Sequence, residues 1–331
     1  CLNAPFFRQL TKIDDTISNN KLLQSLNMPR TDSRDITWSM SSDLSEFFPS
    51  INYPIDLPDG YTQKDLMLYL QSFALEGSNG DELRNYLKDD LERFLHTLQL
   101  IPKLGQTRTG KLLEIGANPY FISMLLEKFS GYQCFYTNYF GNSGNRGKQV
   151  MRRLEGDESI NFEYVECNVD IDEIPYQETF DVILFCEVLE HLIVDPMEAL
   201  RRIKDKLAPG GTLILTTPNV NRLENISKML CGANIYDPYS AYGVYGRHNR
   251  EYNKHELSLL MQQCGFDIEI MYTSDVHENH APNFLDPDKY KSIIFDVNNR
   301  ELDLGQYIFT RASNSDDFRP GKPEYLYRSY S

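Results

Sequence analysis

The stretch Phe180–Cys186 (FDVILFC) constrains the fold more than any other part of the chain. It reads as the strongest buried strand in the sequence, and a nearly continuous apolar run of this length belongs inside a sheet covered on both faces. Lys111–Ile115, Tyr132–Thr137, Phe162–Cys167 and Thr212–Thr217 read as further strands. Helical stretches separate them: Pro119–Phe129 with proline near its first turn, a weaker one at Gly147–Leu154, and Asp195–Leu207 opened by aspartate and proline. Strands alternating with helices at this spacing predict a parallel sheet with helices on both faces. A helix at Lys254–Cys264, ended by Gly265, and strands at Phe266–Tyr272 and Gln306–Arg311 follow. The expected class is α/β, with a seven-stranded, mostly parallel, doubly wound sheet.

Residues 1–105 lack that rhythm. Pro49–Gly60 reads as loop. Thr62–Leu75 reads as a helix with Thr62 as N-cap, and Asp81–Leu100 as a helix with Leu83, Tyr86, Leu87, Leu91, Phe94, Leu95 and Leu98 at helical spacing. The expected organisation is a mainly helical N-terminal extension or cap (1–105), a main domain (106–315) with a substrate-binding insertion near 220–252, and a tail (316–331). The charged runs Lys88-Asp89-Asp90 and Arg201, Arg202, Lys204, Lys206 read as solvated helix faces.

With 331 residues the chain holds one large domain, or one domain with a substantial appendage. A net charge of −15 repels phosphate backbones and disfavours nucleic acid as a partner. No apolar run is long enough to span a membrane. The six cysteines (Cys1, Cys134, Cys167, Cys186, Cys231 and Cys264) form no CxxC pair, and read as reduced thiols of a cytoplasmic protein. The chain opens on Cys1 rather than methionine, which leaves a trimmed N-terminus open.

Ligands of open α/β sheets sit outside the carboxyl ends of the strands. After the first strand stands Glu114-Ile115-Gly116-Ala117-Asn118-Pro119, where Gly116 lets a ligand approach the backbone and Glu114 can accept a hydrogen bond from a ligand ammonium. After the FDVILFC strand, Glu187, Glu190 and His191 stand at i, i+3 and i+4. A helix starting there would bring them to one face as a divalent-metal half-site, for Mg²⁺ for example, with His248 as a further ligand. The alternative for these residues is shaping a pocket. The insertion carries Tyr236–Tyr252 (YDPYSAYGVYGRHNREY), whose Tyr242 and Tyr245 can stack on a sugar or ring and whose Arg247 and Arg250 can pair with an anionic group. Packing as an ordered loop on the N-terminal helices is the alternative.

FDVILFCEVLEHL, followed by DPMEALRRIKDKLAPGGTLILTTPN, resembles the class I, Rossmann-like S-adenosylmethionine-dependent methyltransferases, over about Lys111 to Arg311. The resemblance implies Gly116, Ala117 and Asn118 beside the methionine part of the cofactor, and Asn138 at the ribose, where the family usually has a carboxylate. It further implies Asn168, Val169 and Asp170 at the adenine, and Cys186 and Glu187 near the transferable methyl. Small-RNA ribose 2′-O-methyltransferases and ubiquinone-pathway O-methyltransferases are similar in the ExxEH pattern and use it for a metal. For a hydroxyl acceptor, Glu187, Glu190, His191, His248 and Glu251 are the candidates for base or metal ligand. The segment from Pro218 to Tyr252 is similar to bacterial methyltransferases of surface-polysaccharide assembly. The expected function is O-methylation of a hydroxyl on a glycan or sugar-derived intermediate. Alternative acceptors are a quinone, a natural-product phenol or an RNA 3′ end, and a non-catalytic binding module is the alternative from another class.

Overall fold

The structure is a computed structural model, and it describes residues 54–105, 109–290, 303–315, 319 and 321–328. Residues 1–53 of the expected extension, Cys1 and Pro49 among them, lie outside the described residues.

Helix α1 (Gln63–Gln71) begins at Thr62, whose side chain accepts from the Asp65 backbone while Asp65 accepts from the Thr62 N–H. It stops four residues earlier than its pattern predicts, because Phe73–Leu75 joins the sheet as β1. Helix α2 (Gly80–Leu100) follows, then β2 (Lys111–Ile115), α3 (Phe121–Phe129), β3 (Gln133–Asn138), β4 (Arg146–Arg153) and β5 (Ser159–Glu166). The second half comprises β6 (Phe180–Cys186), α4 (Pro196–Lys206), β7 (Leu207–Pro218), α5 (Leu223–Leu230), α6 (Lys254–Gln263), β8 (Phe266–Ser274) and β9 (Tyr307–Asn314).

The sheet has nine strands rather than seven, in the order β1-β4-β5-β3-β2-β6-β7-β9-β8. The centre β5-β3-β2-β6-β7 is parallel, and both flanks are antiparallel. The two unexpected strands are β1 and β4. Gly147–Leu154, expected as a helix, is β4: Gly147 allows no side chain there, since a Cβ would lie 2.3 Å from the Tyr164 ring of β5. Cross-strand pairing overrides a weak helical pattern.

Phe180, Val182, Ile183, Leu184 and Phe185 of β6 are all buried, as the sequence of that strand demands. From β2 the chain crosses over by α3 to β3 on one side, and from β6 by α4 to β7 on the other. Right-handed crossovers in opposite directions put α3 and α4 on opposite faces. They also open a crevice at the carboxyl ends of β2 and β6. Strand β7 takes in the Pro209-Gly210-Gly211 stretch expected to precede it, and needs Gly211, where a Cβ would lie 2.9 Å from the Ala208 carbonyl oxygen and 3.0 Å from that of Phe180.

Helix α2 is part of this packing. Its Tyr86 and Phe94 meet Phe121 of α3 at 6.3 and 5.9 Å, and its His96 meets Phe309 of β9 at 4.7 Å. Burial holds His96 down to about 4, so it is neutral and bonds the Tyr272 hydroxyl at 3.0 Å. The basic face expected on α4 is not solvated. Arg202 donates to the carbonyls of Val169 (3.4 Å) and Asp170 (3.2 Å), and Lys204 to that of Gly265 (2.7 Å). From the tail, Lys322 and Tyr327 both reach Asp195, the N-cap of α4.

Phe309→Ala removes the ring that packs on both His96 of α2 and Tyr272 of β8. It should lower the unfolding free energy by about 3–5 kcal/mol in urea titration. A loss near that of an exposed substitution would mean α2 is not packed there.

Candidate active site

The crevice is built from three loops. The first follows β2. Gly116 has φ +78°, and a Cβ on it would lie 2.8 Å from Val188 of the turn after β6, so only glycine lets the two strand ends approach. The N–H groups of Gly116 and Ala117 donate to the Thr137 carbonyl at 2.9 and 3.1 Å. Asn138 at the end of β3 is buried and spent on this loop: its Oδ1 accepts from the Asn118 N–H at 2.8 Å and its Nδ2 donates to the Tyr120 hydroxyl at 2.7 Å. Glu114 turns inward, accepts from Ser123 Oγ of α3 at 2.6 Å, and is pushed up to about 8 by burial.

The second loop follows β5. Asp170 accepts from the N–H groups of Ile193 (2.9 Å) and Val194 (3.1 Å), which ties this loop to the approach of α4. Val169 is buried. Asn168 donates from Nδ2 to the Tyr245 hydroxyl at 3.0 Å, and that hydroxyl donates to Asp170 Oδ2 at 3.3 Å. Tyr245 also meets Tyr139 edge-on at 5.7 Å. One tyrosine of the insertion is thus seated over the ends of β3 and β5.

The third loop follows β6. No α-helix starts there; a short 3₁₀ turn covers Leu189–His191, and Glu187 has φ +54°. Glu187 therefore lies outside the ligand-atom cluster of Glu190 and His191, although the Glu190 charge still raises its carboxyl. It accepts from Thr216 Oγ1 at 2.8 Å and lies 4.0 Å from Arg93 of α2. Arg93 is a buried guanidinium fixed by Asp90 (2.7 Å) and the Tyr86 hydroxyl (2.7 Å), with the Tyr307 ring 5.6 Å away. Asp90, expected at the surface, is buried here. Sequence reasoning passed over Arg93; the available signal was Asp90-x-x-Arg93 on the apolar stripe of α2. Burial raises the Glu187 carboxyl, and the Arg93 charge opposes the rise. Cys186, just before it, is pushed up to about 12 by burial.

Glu190, His191 and His248 converge instead. One ligand atom from each lies within 4.8 Å of the others. Glu190 is completely buried; its Oε2 accepts from Thr217 at 3.0 Å, and its Oε1 has no hydrogen-bond partner among the described residues. Burial raises its carboxyl. His191 Nδ1 lies 2.9 Å from the Arg247 carbonyl oxygen, which can only accept, so that nitrogen carries the proton. Its Nε2 then lies 3.7 Å from Glu190 Oε1. Burial and the neighbouring His248 keep His191 below its ordinary value. His248 Nδ1 meets Glu251 Oε1 at 2.9 Å, and Arg222 holds Glu251 in turn. Burial would lower His248, but Glu251 and Glu190 carry it above its ordinary value. Two imidazoles with Nδ1 tied back, plus one unpartnered carboxylate oxygen, are a donor set for a divalent cation.

The other insertion residues diverge. Tyr242 is exposed, Arg247 stacks on Tyr239 at 4.8 Å, and Arg250 turns away to Glu256 of α6.

A family model described as a methyltransferase domain matches residues 82–269. The chain belongs to this methyltransferase family. It is an S-adenosylmethionine-dependent methyltransferase. The match includes α2 from residue 82, so the helix carrying Arg93 lies within the matched span. No curated protein matches the chain. Among solved structures, an S-adenosylmethionine-dependent methyltransferase from Thermotoga maritima is similar at 16% identity and a TM-score of 0.42, covering 71% of this chain and 95% of that one. The 1,6-didemethyltoxoflavin N1-methyltransferase of Burkholderia thailandensis is similar at 16% identity and 0.41, covering 81% and 94%. An N-methyltransferase of Bradyrhizobium japonicum is similar at 14% and 0.39, covering 76% and 97%.

Glu114 gives a test of the crevice electrostatics. Its folded value lies above its ordinary one, so the folded state binds the extra proton, and stability falls as pH rises from about 4.5 to about 8. Glu114→Gln removes that loss. The variant should gain on the parent across this window, by about 1.4 kcal/mol per unit at most, in denaturant titrations at each end. A constant difference at both ends would mean Glu114 is ionised in the fold.

Proposed function

We propose that this methyltransferase acts on a hydroxyl of a glycan or sugar-derived acceptor, and does so with a divalent cation held by Glu190, His191 and His248. The observation that carries the reading is the convergence of one donor atom each from buried Glu190 and half-buried His191 and His248 within 4.8 Å of one another. Two imidazoles and one carboxylate fit a first-row ion such as Mn²⁺, Fe²⁺ or Zn²⁺ better than Mg²⁺, which prefers oxygen donors. Such a cation lowers the proton affinity of a bound hydroxyl. S-adenosylmethionine, when bound, supplies a methyl group already electrophilic on its sulfonium, so alignment is most of what the protein must add.

The chain's own residues divide this work. Gly116, Ala117 and Asn118 would face the methionine part, with Glu114 behind them on Ser123 and Asn138 holding the loop's shape. Asn168, Val169 and Cys186 would line the rest of the cofactor site. Glu187, raised by burial and steadied by Arg93, is suited to take the acceptor's proton at neutral pH. His191 and His248 would serve through the cation. The glycan reading is supported by Tyr236, Tyr239 and Tyr242, which are 80%, 92% and 87% exposed at three-residue steps beside this pocket. Aromatic faces left bare near a site suit the apolar faces of sugars, and the −15 net charge counts against RNA. Residues 1–105 are proposed as an extension that lends α2 to the site, with 106–315 catalytic and 220–252 addressing the acceptor. The five described cysteines are free, which supports a reducing compartment such as the cytoplasm.

Calorimetry should show S-adenosylmethionine binding, and incubation with the producing cell's glycan pool should yield a one-methyl mass gain that chelator abolishes. Full turnover in chelator would overturn the metal reading. Glu251→Gln, which loosens His248 without removing a donor, should weaken metal binding by about 10–100-fold.

A further inference from the structure

His248 belongs to the insertion, while Glu190 and His191 belong to the turn after β6. The insertion returns to that turn through several bonds. The N–H groups of Asn249 and Arg250 donate to the Glu190 carbonyl at 2.7 and 3.1 Å, Asn249 Nδ2 donates to the His191 carbonyl at 2.9 Å, and His191 Nδ1 donates to the Arg247 carbonyl at 2.9 Å. Three residues before His248, Tyr245 is seated on Asn168 and Asp170 at the ends of the parallel strands. The remaining stretch, with Tyr236, Tyr239 and Tyr242, stands in solvent. Over the strand ends the insertion is held by Tyr245, through its hydroxyl and its ring against Tyr139, and at the β6 turn by this backbone seam. At that seam, His191 Nε2 lies 3.7 Å from Oε1 of the buried Glu190.

We propose that the cation is a staple: bound between Glu190, His191 and His248, it fixes the insertion to the β6 turn and so seats Tyr245 over the strand ends, making cation and cofactor bind cooperatively. The inference rests on the metal reading above and deepens it. Two of the three donors belong to one segment and the third to another, so coordination necessarily cross-links the two. Tyr245 lies only three residues from the cross-link, which leaves its ring little freedom to leave Asn168 and Asp170. Tyr245 is a positioning residue in this scheme, and ligand in the crevice is covered by a wall that the cation completes. A ligand favouring the closed arrangement and a cation favouring it must each tighten the other.

The test uses the full chain and three readouts. Mn²⁺ is titrated alone by calorimetry, S-adenosylhomocysteine is titrated with and without Mn²⁺, and amide hydrogen exchange is followed in peptides covering residues 236–250. The proposal expects Mn²⁺ to bind, to slow exchange in those peptides, and to tighten S-adenosylhomocysteine by roughly 5-fold or more. Tyr245→Phe keeps the three donors; it should bind Mn²⁺ as the parent does, yet lose most of the coupling. If Mn²⁺ binds but changes neither exchange nor S-adenosylhomocysteine affinity, the staple is wrong and the metal site stands. If Tyr245→Phe retains full coupling, the seating of Tyr245 is wrong. If neither Mn²⁺, Fe²⁺ nor Zn²⁺ binds to folded protein, the metal reading fails and takes the staple with it.

Discussion

The site depends on one topological constraint, the reversal of chain direction across the sheet between β2 and β6. Because α3 and α4 cover opposite faces, nothing from the sheet itself covers the carboxyl ends of those two strands. Gly116 and Val188 then bring the two ends to touching distance. Everything chemical follows from what reaches that gap: Glu114 from within, Glu187 and Glu190 from the β6 turn, Arg93 from α2 and His248 from the insertion.

The parallel core was legible because each strand states its burial directly. FDVILFC has no polar face to offer solvent, and β7 announces itself with the Pro209-Gly210-Gly211 turn that Gly211 alone can make. Strand β4 was not legible, since Arg146–Arg153 carries alternating charge and gains its place only by pairing with β5 and β1. The i, i+3, i+4 spacing of Glu187, Glu190 and His191 assumes a helix. The left-handed Glu187 and the 3₁₀ turn after it divide the residues between two environments. Arg93 was missed because a single charged residue in an amphipathic helix reads as surface. Asp90 and Tyr86, which make its burial tolerable, are neighbours only once the helix is docked.

Burying ionisable groups at such density has a consequence. Glu114, Glu187 and Glu190 are each held above the ordinary carboxyl range by loss of water. Glu187 has a fixed cation within reach and a threonine hydroxyl; Glu190 has a hydroxyl on one oxygen and, among the described residues, no hydrogen bond on the other, which lies 3.7 Å from His191 Nε2. A buried carboxylate without a partner is costly, and folds keep such groups where a ligand offsets the cost. At Glu190 the charges of His248 and Arg93 offset part of that cost. Hydrophobic replacement there would relieve the burial but would leave two imidazole lone pairs converging on an apolar wall.

Arg93 shows the same balance settled in the opposite way. Its guanidinium is shut among Tyr86, Phe94 and Tyr307, with Asp90 and Glu187 as its acidic neighbours. Removing Arg93 would leave both acids buried, and removing Glu187 would leave Asp90 to hold Arg93 alone. The N-terminal helix and the β6 turn are thus coupled through one charge. That coupling places α2 beside the candidate active site, with its buried guanidinium 4.0 Å from Glu187.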